Sequence, residues 1–229
     1  MRSTLRHATG ALAVLAALCF ASAPSAADQL HDLRSAKPIH GNAAAGKDKA
    51  NICMACHGSD GHAVVPQFPN LGGQSPTYLY LQMQAYKEGR REHATMQAQL
   101  APMSDADLRN LSAFFASMPR YRAGGADGSS RGATLYHDGD PALGIPGCQG
   151  CHGNDGSGPN PDNASAMPRA AWASFPALAG QPVEYVVAQL HAYRDGTRHG
   201  NTNAAVMHGV TGNLDDTDIQ AIADYIAGM

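Results

Sequence analysis

The residues of this chain that could do chemistry form two copies of the pattern Cys-x-x-Cys-His. The two copies share residue types and spacing: Cys53, Cys56 and His57, then Cys148, Cys151 and His152. Cysteines three positions apart lie one above the other on a helical turn, and the next residue projects beside them. Two thiols so placed can add across the two vinyl groups of one haem while the histidine binds its iron. The motifs therefore predict two covalently bound haems c, each with two cysteine attachments and a histidine ligand.

Three other uses of paired cysteines compete with haem attachment. A redox Cys-x-x-Cys pair needs a thioredoxin-like βαβ context, and no strand-rich pattern surrounds either motif. A zinc site would need a second cysteine pair beside each motif, and each half of the chain holds only one. Disulfides are possible in an exported chain, but a bridge across three residues constrains the fold very little. Haem attachment is favoured over all three.

Each haem iron also needs a ligand opposite the histidine, and two methionines stand where such a ligand is expected. Met96 and Met207 each lie eight residues before the residue that opens the last helical segment of their half of the chain. A loop there could bring a thioether over the haem. A single methionine is more often core packing, but the repeated position favours iron ligation by both.

Four other residues compete for these ligand positions. Met103 stands next to the start of a helical segment, where apolar packing suits it better. The other three are histidines without a counterpart in the other half of the chain: His93, His199 and His208. We interpret these three as surface or loop residues.

Two prolines in matched Pro-x-Leu segments, Pro69 and Pro176, are candidates for orienting the two histidines. A metal-ligating histidine usually donates its second ring N–H to a carbonyl or carboxylate, which fixes the ring and raises its basicity. We expect the carbonyl oxygens of Pro69 and Pro176 to accept these hydrogen bonds. The alternative is that both segments are plain turns.

The two motifs belong to two copies of one unit, and the repeat predicts the architecture. The segment 68–74, Phe-Pro-Asn-Leu-Gly-Gly-Gln, recurs as 175–181, Phe-Pro-Ala-Leu-Ala-Gly-Gln. Each copy ends in a segment with helical periodicity, in which one face carries the apolar residues: Leu108, Leu111, Phe115 and Met118, then Ile219, Ile222 and Ile226. A glycine- and serine-rich linker separates the copies. We therefore predict two helical domains, at 28–122 and 123–229.

Residues 1–27 have the pattern of a secretory signal. A positively charged start precedes the uncharged, mostly apolar run 8–20, and small residues precede a cleavage point before Asp28. The run is too short to span a bilayer in the mature protein; an uncleaved anchor is the alternative. Cleavage would discard Cys19 and leave four cysteines. We therefore expect a periplasmic protein without a mature membrane span.

The charge is small overall and unevenly divided. The net charge of −3 offers no basic excess for a nucleic-acid binder. After residue 27, 14 basic and 19 acidic residues leave −5, of which residues 28–122 carry +2 and residues 123–229 carry −7. We hypothesise that the acidic half steers towards a positive docking surface, and that Lys87, Arg90 and Arg91 present a separate basic face. The alternative is a solvated surface without a steering role.

Taken together, these motifs resemble the dihaem class I cytochromes c of the c4 type, over the whole chain after residue 27. The resemblance rests on both Cys-x-x-Cys-His-Gly motifs, both Phe-Pro-x-Leu-x-Gly-Gln segments, the Gly-Ile-Pro lead-in at 144–146 and the position of the two methionines. It implies two all-α class I cytochrome c domains in tandem, related by a pseudo-twofold axis, each wrapped around one His/Met haem. The long segment 155–174, which contains Trp172, departs from the family. The resemblance therefore does not decide whether this chain has the family's usual redox partner.

This resemblance also implies an electron-transfer protein rather than an enzyme. Its partners would be redox proteins such as a terminal oxidase, a quinol-oxidising complex or a dehydrogenase. Iron held by both histidine and methionine favours the reduced state and offers no open position for a substrate. Two alternatives remain: a cytochrome subunit of a larger periplasmic dehydrogenase, such as one with a flavoprotein partner, and a haem enzyme with an open distal site.

Overall fold

The protein is helical throughout the part of the chain that the computed structural model describes, residues 30–158 and 173–229. Within those ranges, backbone pairing outside the helices is limited to two isolated bridges, His31 with Asn201 and Asp140 with Ile145. The predicted signal segment, and residues 159–172 of the 155–174 insertion, lie outside the described residues. No helix in the described ranges combines the length and the apolar character needed to cross a membrane.

Residues 30–122 contain five helices. They are α1 (Ala43–Lys49), α2 (Asn51–His57), α3 (Pro76–Lys87), α4 (Ala94–Leu100) and α5 (Asp105–Ala116). α5 begins at a capping box, in which Ser104 accepts the N–H of Asp107 and the Asp107 carboxylate accepts the N–H of Ser104. Its predicted apolar face is buried, whereas Met118 lies beyond its end and packs half-buried against the core.

The second half repeats this order. Its described helices are α6 (Arg131–His137), α7 (Gln149–His152), α8 (Val183–Arg194), α9 (Thr202–Thr211) and α10 (Asp216–Gly228). Asp215 caps α10 by accepting the N–H of Asp218 at 2.8 Å. The three isoleucines predicted on one face of this helix are all buried, at 2% exposure or less. The helical periodicity in the sequence therefore identified the core side of the last helix in both halves.

In each half, the first and last helices cross at a glycine. A Cβ atom at Gly46 of α1 would lie 2.0 Å from the carbonyl oxygen of Asn110 in α5. A Cβ atom at Gly132 of α6 would lie 2.0 Å from the carbonyl oxygen of Ala221 in α10. Only glycine allows backbones to approach this closely. The same crossing is thus built twice, as the repeat predicts.

The two halves pack against each other through hydrogen bonds that come in matched pairs. The Gln74 side chain binds the backbone of Ala177, and the Gln181 side chain binds the backbone of Asn70. The sequence repeat aligns Gln74 with Gln181 and Asn70 with Ala177. The contacts across the boundary therefore follow the pseudo-twofold relation of the repeat.

The segment before α1 also crosses to the second half. His31 donates its N–H to the carbonyl of Gly200, and its own carbonyl accepts the N–H of Thr202, both at 3.0 Å. The Leu33 N–H donates to the Thr202 hydroxyl at 3.0 Å, and the Leu33 side chain is buried. The segment 30–33 therefore straps the two halves together.

Candidate haem sites

The first Cys-x-x-Cys-His motif occupies α2. Cys53 is half-buried, Cys56 is exposed, and His57, the last residue of the helix, is only 7% exposed. The Nδ1 atom of His57 lies 3.0 Å from the carbonyl oxygen of Pro69, in the loop that follows. The ring of Phe68 stands 6.0 Å from the imidazole at a tilted angle. This motif thus offers two thiols and a buried imidazole whose position is fixed by a backbone carbonyl.

The second motif has the same arrangement at the start of the second half. Cys148 is half-buried and caps α7, Cys151 is exposed, and His152 ends the helix with 7% exposure. The Nδ1 atom of His152 lies 3.0 Å from the carbonyl oxygen of Pro176. The two histidines are therefore equivalent in burial, in their place at the end of a helix and in hydrogen-bond distance, although Cys53 lies within α2 and Cys148 precedes α7.

This environment selects one form of each histidine. Burial lowers the pKa of both His57 and His152 below the ordinary value, and outweighs the upward effect of the carbonyl hydrogen bond. Because a carbonyl oxygen can only accept, Nδ1 carries the proton of the neutral ring. The lone pair is then on Nε2, and in the described ranges no hydrogen bond reaches that atom. Both imidazoles are thus prepared to bind a metal through Nε2.

A single cavity runs along both motifs and across the boundary between the halves. Its walls include all ten residues singled out from the sequence: Cys53, Cys56, His57, Pro69, Met96, Cys148, Cys151, His152, Pro176 and Met207. Most of the remaining lining is aliphatic or aromatic, including Leu79, Phe115 and Ile222. The structure thus brings together residues that are up to 154 positions apart in the sequence.

The two methionines lie on short helices, so the expectation that a loop carries them is wrong. Met96 is on α4 and Met207 is on α9, and both are half-buried. The Nδ1 atom of His93 accepts the N–H of Met96 at 3.4 Å, and the Asn201 side chain caps α9. These caps accept hydrogen bonds from N–H groups in the first turn of each helix and so stabilise the helix that carries the methionine.

The rival ligands occupy different surroundings. Met103 lines the cavity and packs against two buried apolar clusters, as core packing requires. His208 donates its Nδ1–H to the carbonyl of Tyr193 at 2.7 Å, and it is not among the described residues that line the cavity. His93 and His199 line the cavity but are exposed.

The alternatives to haem attachment gain no support from the described residues. None of the four cysteines there is joined in a disulfide. Over 30–158 and 173–229, no group of three or more His, Cys, Asp or Glu side chains comes together as a metal site. All four cysteines line the shared cavity.

A haem c fits the residues present in each half. It needs two thiols at one edge, a neutral imidazole with a free Nε2, and an apolar enclosure for the porphyrin. Each half supplies all three around the same cavity, and adds a thioether from α4 or α9.

The predicted basic face is wrong in one residue, Arg91, whereas Lys87 is exposed. Arg91 does not belong to an exposed basic face, because its guanidinium turns inward and bonds to Gln82 and Gln189. Lys87 donates its Nζ to the carbonyls of Ala101 and Met103. Sequence reasoning missed this inward arginine, although the sequence repeat pairs Arg91 with Arg198 and could have indicated it.

Comparison with known proteins decides the family. The cytochrome c family model matches residues 43–119 and again residues 129–229. The chain belongs to the cytochrome c family, among the cytochromes of the c4 type. It is 40% identical over 191 residues to cytochrome c4 of Pseudomonas aeruginosa, covering 82% of this chain and 89% of that protein.

Two further comparisons extend this result. The crystal structure of reduced recombinant cytochrome c4 from Pseudomonas stutzeri matches with a TM-score of 0.73 at 36% identity, over 82% of this chain and 99% of that one. A protein of Stutzerimonas stutzeri named thiosulfate dehydrogenase electron acceptor is 33% identical, over 79% of this chain and 80% of that protein. The family model matches once in each half of this cytochrome, which confirms the predicted all-α fold of two tandem domains. Covalently bound haem c is the group that this family carries.

Proposed function

We propose that this cytochrome is a periplasmic carrier that transfers single electrons through two His/Met haems c, one in each of the domains 28–122 and 123–229. The observation that carries the proposal is the duplicated site. In each half, two thiols, a buried neutral imidazole and a methionine surround one cavity, in the same order along the chain. Two such sites in one short chain can hold two electrons or relay one between them.

The chain's own residues hold and tune each site. Cys53 and Cys56, or Cys148 and Cys151, form the thioether bonds. The iron of the bound haem supplies the one-electron couple. His57 and His152 would bind the iron through Nε2. The carbonyls of Pro69 and Pro176 accept the Nδ1–H bonds, which fixes the plane of each ring and would make it a better donor.

Two protein ligands for each iron would favour electron transfer over catalysis. Met96 and Met207 line the cavity and would supply the second protein ligand of each iron, which would leave no position for oxygen, peroxide or another substrate. A thioether ligand raises the reduction potential relative to a second histidine. The mostly apolar walls of the cavity would limit the water around a bound haem, which would keep reorganisation small.

The exposed cysteine of each motif marks where electrons enter and leave. Cys56 and Cys151 are both exposed, whereas the histidine beside each is buried. A haem attached through these cysteines would have its thioether edge near the surface, where a redox partner could dock. A terminal oxidase, a quinol-oxidising complex and a dehydrogenase all fit this role. The secretory pattern of residues 1–27 supports a periplasmic location.

One relative favours a narrower second candidate. The similarity to the thiosulfate dehydrogenase electron acceptor supports a role as the acceptor, or the cytochrome subunit, of a periplasmic dehydrogenase. Co-purification with a catalytic subunit distinguishes a subunit from a free carrier.

Spectroscopy of the purified mature protein tests the proposal. We expect pyridine haemochrome analysis to give two c-type haems per chain. We also expect the weak far-red methionine–iron band of the oxidised protein to account for both haems. Fewer than two haems would sink the dihaem assignment, and ready binding of carbon monoxide by the reduced protein would sink the closed-site carrier. The second outcome would favour a haem enzyme instead.

A further inference from the structure

Each methionine-bearing helix, α4 or α9, is followed by a turn whose carbonyls bind a cation from the preceding helix. The cations are the last residues of equivalent helices, Lys87 of α3 and Arg194 of α8. Lys87 donates through Nζ to the carbonyl of Ala101 at 3.1 Å, and also to the carbonyl of Met103. Arg194 donates through Nη1 to the carbonyl of Leu214 at 3.1 Å. Both domains therefore fasten this turn with a charged side chain.

The bonded carbonyl has the same place relative to the methionine in both domains. Met103 follows Met96 by seven residues, and Leu214 follows Met207 by seven residues. Each bonded residue directly precedes the N-cap of the last helix, α5 or α10. Helices as short as α4 and α9, with seven and ten residues, are marginal on their own. What holds their ends therefore determines where each methionine stands.

Both ends of α4 are held by side chains. His93 caps the first turn, and Lys87 binds the carbonyl of Ala101, which has no partner within the helix. A positive side chain is a favoured donor to such carbonyls, and its hydrogen bonds are stronger than those of a neutral donor. Throughout 30–158 and 173–229, no carboxylate lies within 4.0 Å of the Lys87 ammonium. Its charge is therefore directed at the end of α4.

The second domain adds bonds that the first domain lacks. His208, on α9, donates its Nδ1–H to the carbonyl of Tyr193 in α8, at 2.7 Å. Arg194 also pairs with Asp216 in the first turn of α10, at 2.8 Å. In the described ranges, the only hydrogen bond between α3 and the residues of α4 or its C-cap is the one from Lys87. The first methionine-bearing helix is therefore held to its neighbour by fewer bonds than the second.

We propose that Lys87 and Arg194 are positioning residues for the two methionine ligands. Each cation fastens the end of a methionine-bearing helix to the preceding helix, and so keeps the thioether of Met96 or Met207 at the iron. Neither cation is among the described residues that line the cavity, so each acts through the helix rather than on the haem. Met96 is then the more easily displaced ligand of the two. The inference rests on the proposed dihaem function.

Competition with imidazole measures how firmly each methionine is held in the oxidised, haem-loaded protein. Imidazole binds the iron only when the thioether has left, so its affinity rises when the helix is held less firmly. In Lys87→Ala, we expect the imidazole affinity of the first haem to rise about tenfold, because charge-assisted hydrogen bonds are lost. In Arg194→Ala, we expect a smaller rise at the second haem, about threefold, because His208 still bonds to α8.

Loss of the far-red band follows each titration and shows which haem has responded. In Met207→His, the remaining band belongs to the first haem, which identifies its share of the wild-type titration. Lys47→Ala removes the same charge as Lys87→Ala from an exposed position on α1, away from the cavity, and should change neither affinity.

Exchanging the two cations separates positioning from a general loss of structure. Lys87→Arg and Arg194→Lys each introduce the donor that the other domain uses at the same place. Their imidazole affinities should therefore stay closer to the wild-type values than those of the alanine variants. Lys87→Gln keeps a neutral donor and serves as the test if Lys87→Ala does not take up two haems. It should still raise the affinity at the first haem.

Three outcomes would overturn the inference: an unchanged affinity of the first haem in both Lys87→Ala and Lys87→Gln, an equal rise in Lys47→Ala, or a rise in Lys87→Arg as large as that in Lys87→Ala. Haem content and the far-red band are measured first on the wild type. A failure there concerns the proposed function, whereas two intact His/Met haems with unmoved imidazole affinities reject the positioning role alone.

Discussion

The side-chain amide of Gln74 crosses the domain boundary and forms two hydrogen bonds with the backbone of Ala177. It donates to the Ala177 carbonyl at 2.9 Å and accepts the Ala177 N–H at 2.8 Å. Gln181 does the same for Asn70, at 2.9 and 3.0 Å. Both glutamines are buried. Each domain therefore uses one glutamine to complete the backbone hydrogen bonding of the other. The residue bonded in each case, Ala177 or Asn70, directly follows the proline whose carbonyl accepts from the histidine of the same domain.

Replacing this glutamine should weaken the assembled molecule. In Gln74→Ala, the buried N–H and carbonyl of Ala177 lose their partner, so we expect the free energy of unfolding to fall by about 2–4 kcal/mol. Guanidinium unfolding of the haem-loaded protein measures this change. Gln220→Ala, at an exposed position on α10, is the control and should change it by less than about 0.5 kcal/mol. Equal losses in both variants would contradict the structural role of Gln74.

Glycine-to-alanine substitutions should change the free energy of unfolding in opposite directions at the helix crossings and away from them. Gly46→Ala and Gly132→Ala place a methyl group against a facing helix backbone, so each should lower the free energy of unfolding by about 3 kcal/mol. Gly209→Ala lies within α9 with open space around the new Cβ, and should raise it by about 0.5–1 kcal/mol. Thermal unfolding followed by circular dichroism compares the three. A stabilised Gly46→Ala variant would show that the two helices do not cross as described.

Each methionine should account for half of the far-red band. In Met96→His, the thioether is replaced by a stronger donor, so we expect about half of the band to disappear and one midpoint potential to fall. Met207→His should do the same to the other haem. Met103→Leu is the matched control, because Met103 lines the same cavity from a packing position. Loss of half the band in Met103→Leu would reassign the ligand of the first domain.

The prolines should matter for rigidity rather than for the hydrogen bond itself. Alanine at position 176 keeps the carbonyl that accepts from His152, so Pro176→Ala should leave the far-red band and both potentials unchanged. Its more flexible unfolded chain should lower the free energy of unfolding by about 0.4–1 kcal/mol. Voltammetry and denaturant unfolding of one sample measure both quantities. A clear change in potential with unchanged stability would mean that the proline ring itself tunes the iron.

The sequence predicted those features that depend on short-range patterns and on the duplication of these patterns. The Cys-x-x-Cys-His spacing, the helical periodicity of the last segments and the all-α tandem fold needed only local pattern and duplication. The inward turn of Arg91 did not follow from the local pattern, because its acceptor Gln189 lies in the other domain, 98 positions away; only the pairing of Arg91 with Arg198 in the repeat pointed to it. The helix that carries Met96 was missed because its cap is His93, which is not among the usual capping residues. The iron ligands themselves stay predictions.

The hydrogen bonds of segment 30–33 with the second domain bear on the order in which the protein folds. Its backbone partners, Gly200 and Thr202, are among the last residues to be exported if the chain crosses the membrane with its N-terminus first. Domains generally fold as units in the order in which they emerge. The first domain must therefore fold while Leu33, which lines the cavity, still lacks its contact with Thr202. On this order, segment 30–33 forms its contacts only after residues 200–202 of the second domain have emerged.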